Sequence, residues 1–382
     1  MKDKRFIVLL SIMFIFSISF IVFVYNDYFL YKRPVLKITS IKTVKEDSET
    51  SNESYYTQTV YGVIKNGKYK GNHIKITNHS TESGVYDEQL HKRSELFVEL
   101  TNNGTEAIGF SEVKRDKYIA ILFVIFLDAI ILVARKKGIQ TLISLLINVI
   151  ISAVSIFTFQ KYHKSINMLI LYFGVAVFFI VSSLFITNGK SKKTLAAISS
   201  SICSLFISFF LAFFIIKIYG KPVPYWTLEY IEAVHQYENF FYVTILLCGL
   251  GAIMDISITI SSSLNELIEK DPKIKLKNLI NSGKEISKDI VGTMTNVMLF
   301  TCYTSIIPMT LLMMKNNVVL GDALARYGEI ELIVVLTSCI SIVLSIPISL
   351  FISTIILKPS NKKRRYLKWY LYYHVFCSSY LF

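Results

Sequence analysis

The chain has 382 residues, a formal net charge of +14 and a hydrophobic content of 53%. A soluble protein of this length has a smaller apolar fraction, so the composition excludes that class and predicts an integral membrane protein. The Lys and Arg residues are divided among short runs between apolar segments, which is how topology signals are arranged. This distribution argues against a nucleic-acid partner.

The cysteines argue against both a disulfide framework and a zinc site. All five lie in or near apolar segments, and none lies in the large polar segment at 26–117. No CxxC pair and no His/Cys cluster with zinc spacing occurs in the sequence. We therefore expect no cofactor and no bound metal.

The first predicted element is a membrane anchor at 1–25. Met1–Arg5 is basic, and Phe6–Tyr25 is wholly apolar or hydroxylic. A run of about 20 such residues can cross about 30 Å of hydrocarbon. A cleaved signal peptide is the alternative. This run is longer than the apolar region of a typical signal peptide, however, and no clear small-x-small cleavage site follows it. We therefore predict an anchor that is retained.

Residues 26–117 are predicted to form a small, mostly β domain, an open barrel or a sandwich. They hold no helix-length apolar run, and three segments alternate or are rich in β-branched and aromatic residues. These segments are Tyr55–Ile64, His73–Thr77 and Glu95–Thr101. The pairs Asn66-Gly67 and Asn103-Gly104 predict turns.

The three histidines of this domain are candidate metal ligands by residue type. They are His73, His79 and His91. Their spacing matches no common metal site, so we interpret them as surface residues.

From Tyr118 the chain becomes a series of apolar segments that predict seven further spans, a bundle at 118–357. The spans lie at 118–134, 139–157, 166–186, 194–218, 240–260, 291–314 and 330–357. With the first helix this makes about eight. The predicted fold class is therefore an all-α polytopic membrane protein with a small β domain after the first helix.

The connecting segments predict the orientation of the chain. If the N-terminus is cytoplasmic, five segments lie inside and three short loops lie outside. The inside segments carry 3, 3, 3, 6 and 6 Lys and Arg residues at 1–5, 135–138, 187–193, 261–290 and 358–382. The outside loops carry 2, 1 and 2 at 158–165, 219–239 and 315–329. By the positive-inside rule, we expect a plasma-membrane protein with both termini cytoplasmic and residues 26–117 extracytoplasmic.

Two basic cytoplasmic segments are predicted to lie on the lipid surface. In the loop 261–290, Asp271-Pro272 ends a helical face, and apolar residues then recur among lysines. Such a basic amphipathic segment should bind anionic head groups. The tail 358–382 combines basic and aromatic residues and should do the same.

The stretch 249–266 carries the main functional hypothesis. It follows an apolar run, and five of its polar or small residues fall at helical spacing on one face. They are Gly251, Asp255, Thr259, Ser262 and Glu266. A carboxyl group in hydrocarbon costs on the order of 3 kcal/mol. We therefore expect this face to border a protein interior or a wet cavity.

The next span supplies the predicted partners of Asp255. Asp255 and Asn296 lie about five residues from the inner ends of consecutive spans, roughly 8 Å inside the boundary. Consecutive spans often pack together, so we expect these two side chains to meet, with Thr295 beside them. Asp128 lies at a similar depth in its own span. Together, Asp128, Asp255 and Asn296 predict a polar cluster in the inner leaflet.

Two interpretations of this cluster remain open. It can bind an ion or relay a proton, because ionisable groups within a membrane mark such paths. Alternatively, its hydrogen bonds only hold helices together. Gly249, Gly251 and Gly292 are predicted to permit close helix packing beside it.

Several catalytic motifs are absent from the sequence. Gly249 and Gly251 begin a G-x-G, but the third glycine position is Met254 and the motif lies within a span, which excludes a dinucleotide site. No Walker sequence occurs, and no serine–histidine–acid or cysteine–histidine set lies at a common depth. We therefore expect neither an ATP-driven pump nor an enzyme.

Two segments are distinctive as motifs. They are GAIMDISITISSSLNEL at 251–267 and VGTMTNVMLFTCYTSIIP at 291–308. Both resemble signatures of the YibE/F-like family of bacterial polytopic membrane proteins, and the polar segment before the helices is also similar. The resemblance covers roughly residues 1–357. It implies a multispanning membrane protein and does not name a substrate.

Two functions follow as hypotheses. The first is a secondary transporter or permease of unknown substrate, with Asp255 as the ion or proton site and Asn296 and nearby hydroxyl groups as partners. The second is a non-transport envelope binding or scaffold protein whose extracytoplasmic domain recognises a partner. Expected partners are the lipid bilayer, a small ion or solute, and a family partner protein or a second copy of the chain.

Overall fold

The computed structural model describes residues 2–46, 54–82, 84, 87–101, 107–162, 166–219 and 237–358. The predicted turn at 103–104, most of the loop 219–239 and the basic-aromatic tail beyond 358 lie outside these residues. The chain divides into two compact units, Met1–Ile139 and Gln140–Phe382.

The first unit contains an N-terminal helix and a five-stranded antiparallel sheet. Helix α1 (Lys2–Tyr25) leads through a short 3₁₀ turn (Asp27–Leu30) into the strands. The strands are β1 (Val35–Glu46), β2 (Tyr55–Ile64), β3 (His73–Thr81), β4 (Glu95–Leu100) and β5 (Ala107–Val113). Their order in the sheet is β3-β2-β1-β4-β5.

The sheet curls into a partly open barrel around an apolar core. A bulge between Ile38 and Ser40 bends β1, which pairs with β2 along its length and with β4 over its first three residues. The outer strands β3 and β5 approach each other without a described hydrogen-bonded ladder. Partly open five-stranded barrels of this kind include the OB-fold. The inward residues alternate along the strands, as in Leu36, Ile38 and Val60.

The strand predictions are confirmed for β2, β3 and β4. Tyr55–Ile64 is a strand over the predicted range, and β3 extends past the predicted Thr77 to Thr81. Strands β1 and β5 were not predicted. In β1 the apolar residues are separated by lysines and threonines, and its second half is exposed, so the core signal covers only its first few residues.

Helix α2 (Asp116–Tyr162) contains both of the predicted spans at 118–134 and 139–157. It is broken at Arg135, where φ is 50° and ψ is −124°. A Cβ atom on Gly138 would lie 2.6 Å from the carbonyl oxygen of Ile130. In a continuous helix, residues eight apart are separated by about 12 Å along the axis. The chain therefore turns back sharply here, and a side chain at position 138 would obstruct the turn.

The second unit is helical. It begins within the part of α2 that follows the break at Arg135, which we call its second arm. The helices that follow are α3 (Met168–Asn188), α4 (Lys192–Tyr219), α5 (Tyr237–Cys248), α6 (Leu250–Lys270) and α7 (Leu276–Lys315). The last elements are α8 (Leu320–Ala323), a π-helical turn (Leu324–Gly328) and α9 (Glu329–Leu357). Among the described residues, six helical segments are long and apolar enough to cross a membrane. They are Asp116–Tyr162, Met168–Asn188, Lys192–Ile218, Glu238–Lys270, Leu276–Lys315 and Glu329–Leu357.

Three helices, α4, α6 and α9, form the centre of this unit. Each packs extensively on the other two. Apolar residues of α6 fill the space between them, among them Ile256, Ile260 and Leu264, which are at most 1% exposed. A second apolar cluster joins α3, α4 and α5.

The loop predicted at 261–290 is helical almost throughout. Helix α6 runs to Lys270 and ends at the predicted Asp271-Pro272 break, and α7 then begins at Leu276 and continues through the next span. Leu279 and Ile280 are buried in the protein, and Leu279 lies in the same cluster as Leu264. The predicted location of this segment on the lipid surface is therefore wrong for these two residues, because they pack against other helices.

Candidate functional site

Helix α6 carries two polar rows on different sides. The first row is buried and consists of Ser257 and Ser261. Their hydroxyl groups lie 3.0 Å and 2.7 Å from the hydroxyls of Ser349 and Ser353 on α9. All four side chains are fully buried. Small hydroxyl residues allow close approach of helices and supply hydrogen bonds across the contact, so this row holds α6 to α9.

Helix α4 adds further serines to the same core. Ser200 and Ser208 bond to carbonyl oxygens of their own helix, which satisfies their hydroxyl groups. Ser201 and Ser204 are fully buried, and their hydroxyls have no hydrogen-bond partner within the described parts of the chain.

At Gly249, a Cβ atom would lie 3.4 Å from Cβ of Ser341, so this glycine lies close to α9.

The second row of α6 contains the sequence-predicted residues. Gly251, Asp255, Thr259 and Glu266 are exposed, and Ser262 is half-buried. Glu266 pairs with Lys270 one turn later, at 3.1 Å. The hydroxyl of Thr259 donates to the backbone oxygen of Asp255. The carboxylate of Asp255 has no hydrogen bond or ion pair with any residue that the structure describes.

The predicted partners of Asp255 lie on α7. Asn296 is exposed and Thr295 is half-buried. No hydrogen bond joins Asp255 to Asn296 in the described structure, and the Asn296 amide has no other partner there. Around Gly251 and Gly292, no atom of another described element lies within 4 Å of an added Cβ, so neither glycine makes a close helix contact in the described part of the chain. The polar face, which was expected to border a protein interior or a wet cavity, is thus exposed in the single chain.

Asp128 belongs to the first unit and has a partner of its own. The hydroxyl of Ser17 on α1 donates to its carboxylate at 2.9 Å, and Ser17 is buried. This bond joins α1 to the first arm of α2. It agrees with the interpretation in which a carboxyl group within the membrane stabilises helix packing through a hydrogen bond.

The first unit also holds a buried ionic cluster that the sequence did not predict. Lys114 lies 2.7 Å from Asp27 and 2.7 Å from Asp116, and Lys117 lies 2.5 Å from Glu95. The side chains of Lys114 and Glu95 are only 1% and 2% exposed. The cluster joins the turn after α1, strand β4, the end of β5 and the start of α2.

Two tyrosines complete the cluster. Tyr28 donates to Glu95 at 2.5 Å, and Tyr31 donates to Asp116 at 2.9 Å. Burial raises the pKa of both phenols, and the adjacent carboxylates raise it further. Burial alone would lower the pKa of Lys114, but its hydrogen bonds to Asp116 and Asp27 outweigh this and the pKa is raised. The lysine is therefore held in its charged form.

Sequence spacing could have revealed the buried serine row but not the ionic cluster. On α9 the serines recur at one face of a helix: Ser338, Ser341, Ser345, Ser349 and Ser353. The ionic cluster collects residues from positions as far apart as Asp27 and Lys114, and no local pattern connects them.

The described residues offer no metal centre. No group of three His, Cys, Asp or Glu side chains among them is arranged to hold a metal ion. His79, one of the predicted surface histidines, is exposed, and its Nδ1 lies 3.0 Å from the hydroxyl of Thr57.

Comparisons with known proteins agree with the division of the chain. A family model described as YibE/F-like protein matches residues 122–359. A second, described as YibE/F family N-terminal domain, matches residues 29–112. No curated protein and no solved structure matches the chain.

Proposed function

Because the chain belongs to the YibE/F-like family, whose two models match its sheet domain and its helices, we propose that it is a secondary transporter of the membrane. Its path would follow the exposed row of α6 and the adjoining polar face of α7. The observation that carries this proposal is the carboxylate of Asp255, which lies within an apolar helix and has no partner among the described residues. The substrate is an ion or small solute that this carboxylate can bind or exchange for a proton.

The division of labour on α6 supports this role for Asp255. Hydrogen bonds between helices are already made by Ser257 and Ser261, so Asp255 is not needed for packing. A carboxylate facing hydrocarbon costs several kcal/mol, and such residues border a protein interior or water. Asp255 makes no described contact that would neutralise it, so a water-filled path is the setting that fits the exposed row.

Each remaining residue of the row would have a place along the path. Thr259 and Ser262 would offer hydroxyl oxygens one and two turns from Asp255, and Glu266 would draw cations at the end of α6. On α7, Thr295 and Asn296 would offer hydroxyl and amide oxygens. Hard cations such as Na⁺ prefer such oxygen ligands, and a proton can also be exchanged at the carboxylate.

The proposal includes the topology predicted from the loop charges. Eight spans would place both termini in the cytoplasm and the sheet domain outside. The reversal at Arg135 and Gly138 supports counting α2 as two spans. Helix α1, whose residues Phe6–Tyr25 are all apolar or hydroxylic, would be the first span.

The test is binding linkage measured on the full chain in lipid nanodiscs. Thermal unfolding of wild type, Asp255→Asn and the control Glu269→Gln is compared with added Na⁺, K⁺ or Mg²⁺ and at steps of pH. An ion at 100 times its Kd stabilises the folded state by about 2.7 kcal/mol. We expect wild type and the control to be stabilised and Asp255→Asn not to respond. Equal responses of all three proteins would contradict a site at Asp255.

A second function, recognition of a partner by the sheet domain, is favoured by one surface. The outward face of β1, β2 and β3 combines aromatic, hydroxyl and basic side chains, with Tyr61 opposite Lys75 and Lys42 opposite Thr59. Tyrosine rings are enriched at recognition surfaces. A photo-crosslinking residue at Tyr61 would then capture a partner, and one at the exposed Ile108 on β5 would not. Equal yields at the two positions would contradict this function.

A further inference from the structure

The sheet domain contains a polar cavity of about 780 Å³ near the seam where β3 and β5 approach each other without a described hydrogen-bonded ladder. The residues that line it come from β3, the segment after β3, the second half of β5 and the residue before α2. They include Asn78, Asp87, Glu88, Phe110, Glu112 and Arg115. The volume lies within the range of about 300–1,000 Å³ that small-molecule sites have, so the cavity can hold a small ligand.

Asn78 is a buried polar residue of this cavity whose hydrogen-bonding capacity is only partly used. It is 6% exposed. Its amide nitrogen donates to Oε1 of Gln58 at 3.0 Å and to the backbone oxygen of Glu88 at 2.8 Å. These two acceptors fix the orientation of the amide, because only the nitrogen can donate to them. The amide oxygen accepts no hydrogen bond from any described residue, so it is available to a donor inside the cavity.

Gln58 holds this acceptor in place. It is 4% exposed, and its Oε1 also accepts from the backbone nitrogen of Leu90 at 2.8 Å. Its Nε2 donates to the backbone oxygen of Leu90 at 3.1 Å. A buried network whose members are paired in this way is rigid. A ligand that donates to Asn78 therefore meets an acceptor that is already ordered, which lowers the entropic cost of binding.

The charge of the cavity is negative. Glu88 is paired with Arg115 at 2.5 Å, which leaves two further carboxylates. Asp87 accepts from the backbone nitrogen and the hydroxyl of Thr81, and neither of these donors is charged. Neither Asp87 nor Glu112 forms an ion pair with a residue that the structure describes. In a chain of net charge +14, these two carboxylates make the cavity a local site for a cation.

The residue types exclude most other ligands. A metal ion does not fit, because no group of three His, Cys, Asp or Glu side chains among the described residues is arranged to hold one. An anion would meet the unpaired carboxylates and be repelled. Phe110 and Val113 add apolar surface to the same wall, which suits methylene groups. The matching ligand has two separated positive charges, N–H donors and a short alkyl chain.

From this arrangement we propose that the cavity binds a linear polyamine. One ammonium group lies against Asp87 and donates to the amide oxygen of Asn78, and a second ammonium group lies against Glu112. The methylene groups between them cover Phe110 and Val113. The site belongs to the sheet domain, and it does not depend on the proposed path at Asp255.

The test is isothermal titration calorimetry of the full chain in phosphatidylcholine nanodiscs, with empty nanodiscs as the blank. The probes are putrescine and n-butylamine, which share a four-carbon chain and differ in having two ammonium groups or one. Mg²⁺ at the same concentration tests whether any divalent cation is sufficient.

Four variants locate the site. Asp87→Asn and Glu112→Gln each remove one carboxylate, and Ser111→Trp fills the cavity from the exposed part of its wall. Glu99→Gln is the matched control, because Glu99 is an exposed carboxylate of β4 outside the cavity. Thermal unfolding of each variant verifies that the sheet domain is folded.

We expect wild type and Glu99→Gln to bind one putrescine, more tightly than n-butylamine or Mg²⁺. Glu112→Gln should weaken putrescine binding about twofold to fivefold, which is the range for one exposed ion pair. Asp87→Asn should weaken it about tenfold, because its half-buried carboxylate makes a stronger charge-assisted bond. Ser111→Trp should abolish it.

Three results would overturn the proposal. The first is no saturable binding of putrescine by wild type. The second is unchanged binding in both Ser111→Trp and Glu112→Gln, which would place the amine elsewhere. The third is equal affinity for putrescine and n-butylamine, which would show that the two carboxylates do not act together.

Discussion

Carboxylates occur beside apolar helices in both units of this chain, but their surroundings differ. In the first unit, Asp27, Glu95 and Asp116 each lie against a lysine, and two tyrosines donate to them. In the second unit, Asp255 has no described partner, although serines on the same helix are paired across to α9.

The difference distinguishes the charges of the ionic cluster, which stabilise the fold, from the charge of Asp255, which does not. A buried charge is tolerated when an opposite charge and hydrogen bonds compensate its lost hydration. The ionic cluster meets this condition and fixes the sheet domain to the helix ends of its own unit. Asp255 does not meet it in the single chain. The water-filled path or bound ion that we propose would account for this carboxylate in an apolar helix.

The largest expected effect comes from the ionic cluster of the first unit, in which the carboxylates are paired with lysines. Lys114→Met leaves the buried Asp27 and the half-buried Asp116 without their cation, which should lower the free energy of unfolding by about 3–5 kcal/mol. The measurement is chemical denaturation of the full chain followed by tryptophan and tyrosine fluorescence. Lys75→Met, on the exposed face of β3, is the control and should change it by less than about 0.5 kcal/mol. Equal effects of the two changes would show that the cluster does not stabilise the unit.

The next effect concerns the buried row of α6. Ser261→Leu inserts a large side chain where Ser261 meets Ser353, and overpacking of this kind costs about 1–3 kcal/mol. Thr259→Val, two residues away on the exposed row, should cost less than about 0.5 kcal/mol. Thermal unfolding in nanodiscs measures both. A larger loss at position 259 than at 261 would reverse the assignment of the two rows.

Alkaline pH should weaken the ionic cluster by a smaller amount. The folded-state pKa values of Lys114, Tyr28 and Tyr31 are raised above their ordinary values of 10.5, 10.0 and 10.0. Their contribution to stability is therefore complete below about pH 10 and is lost as pH rises through the raised values. Unfolding midpoints are measured from pH 7 to 11. The contribution of these three groups to the midpoint should be constant up to pH 9 and then fall. Tyr28→Phe should show a shallower fall, and an unchanged slope would contradict the role of that phenol.

The smallest effect on stability is expected at Asp255 itself. Asp255→Asn removes a charge that has no described partner, so the midpoint of thermal unfolding without added ions should change by less than the change in Ser261→Leu. The same variant should lose its response to ions and pH. A destabilisation comparable with that of Lys114→Met would show that Asp255 is a structural residue.

Local patterns predicted the elements of this fold well. The alternation in Tyr55–Ile64 and the length of the apolar runs at 194–218 and 330–357 gave strands and helices close to those observed. The break at Asp271-Pro272 was also found where proline chemistry places it. These features depend on residues near one another in sequence, so a single sequence contains them.

Contacts between distant segments could not be predicted in the same way. The periodicity of α6 indicated a polar face. It did not indicate that Ser257, two residues from Asp255, is the polar residue that contacts α9. The cluster of Lys114 and Asp27 depends on the sheet bringing the two ends of the domain together. The burial of Leu279 depends on the packing of α7 against α6 and α9, which the lysine-rich pattern of this segment did not indicate.

The most direct test of the central claim measures water access to the two rows of α6. In a chain whose five cysteines are replaced, Thr259→Cys and Ser261→Cys are each treated with a charged thiol reagent in proteoliposomes. We expect modification at position 259, where the proposed water-filled path would reach the exposed row, and none at position 261, which is buried against α9. Modification of Thr259→Cys by a lipid-soluble maleimide but not by the charged reagent would contradict it. The exposed row would then face lipid or another protein.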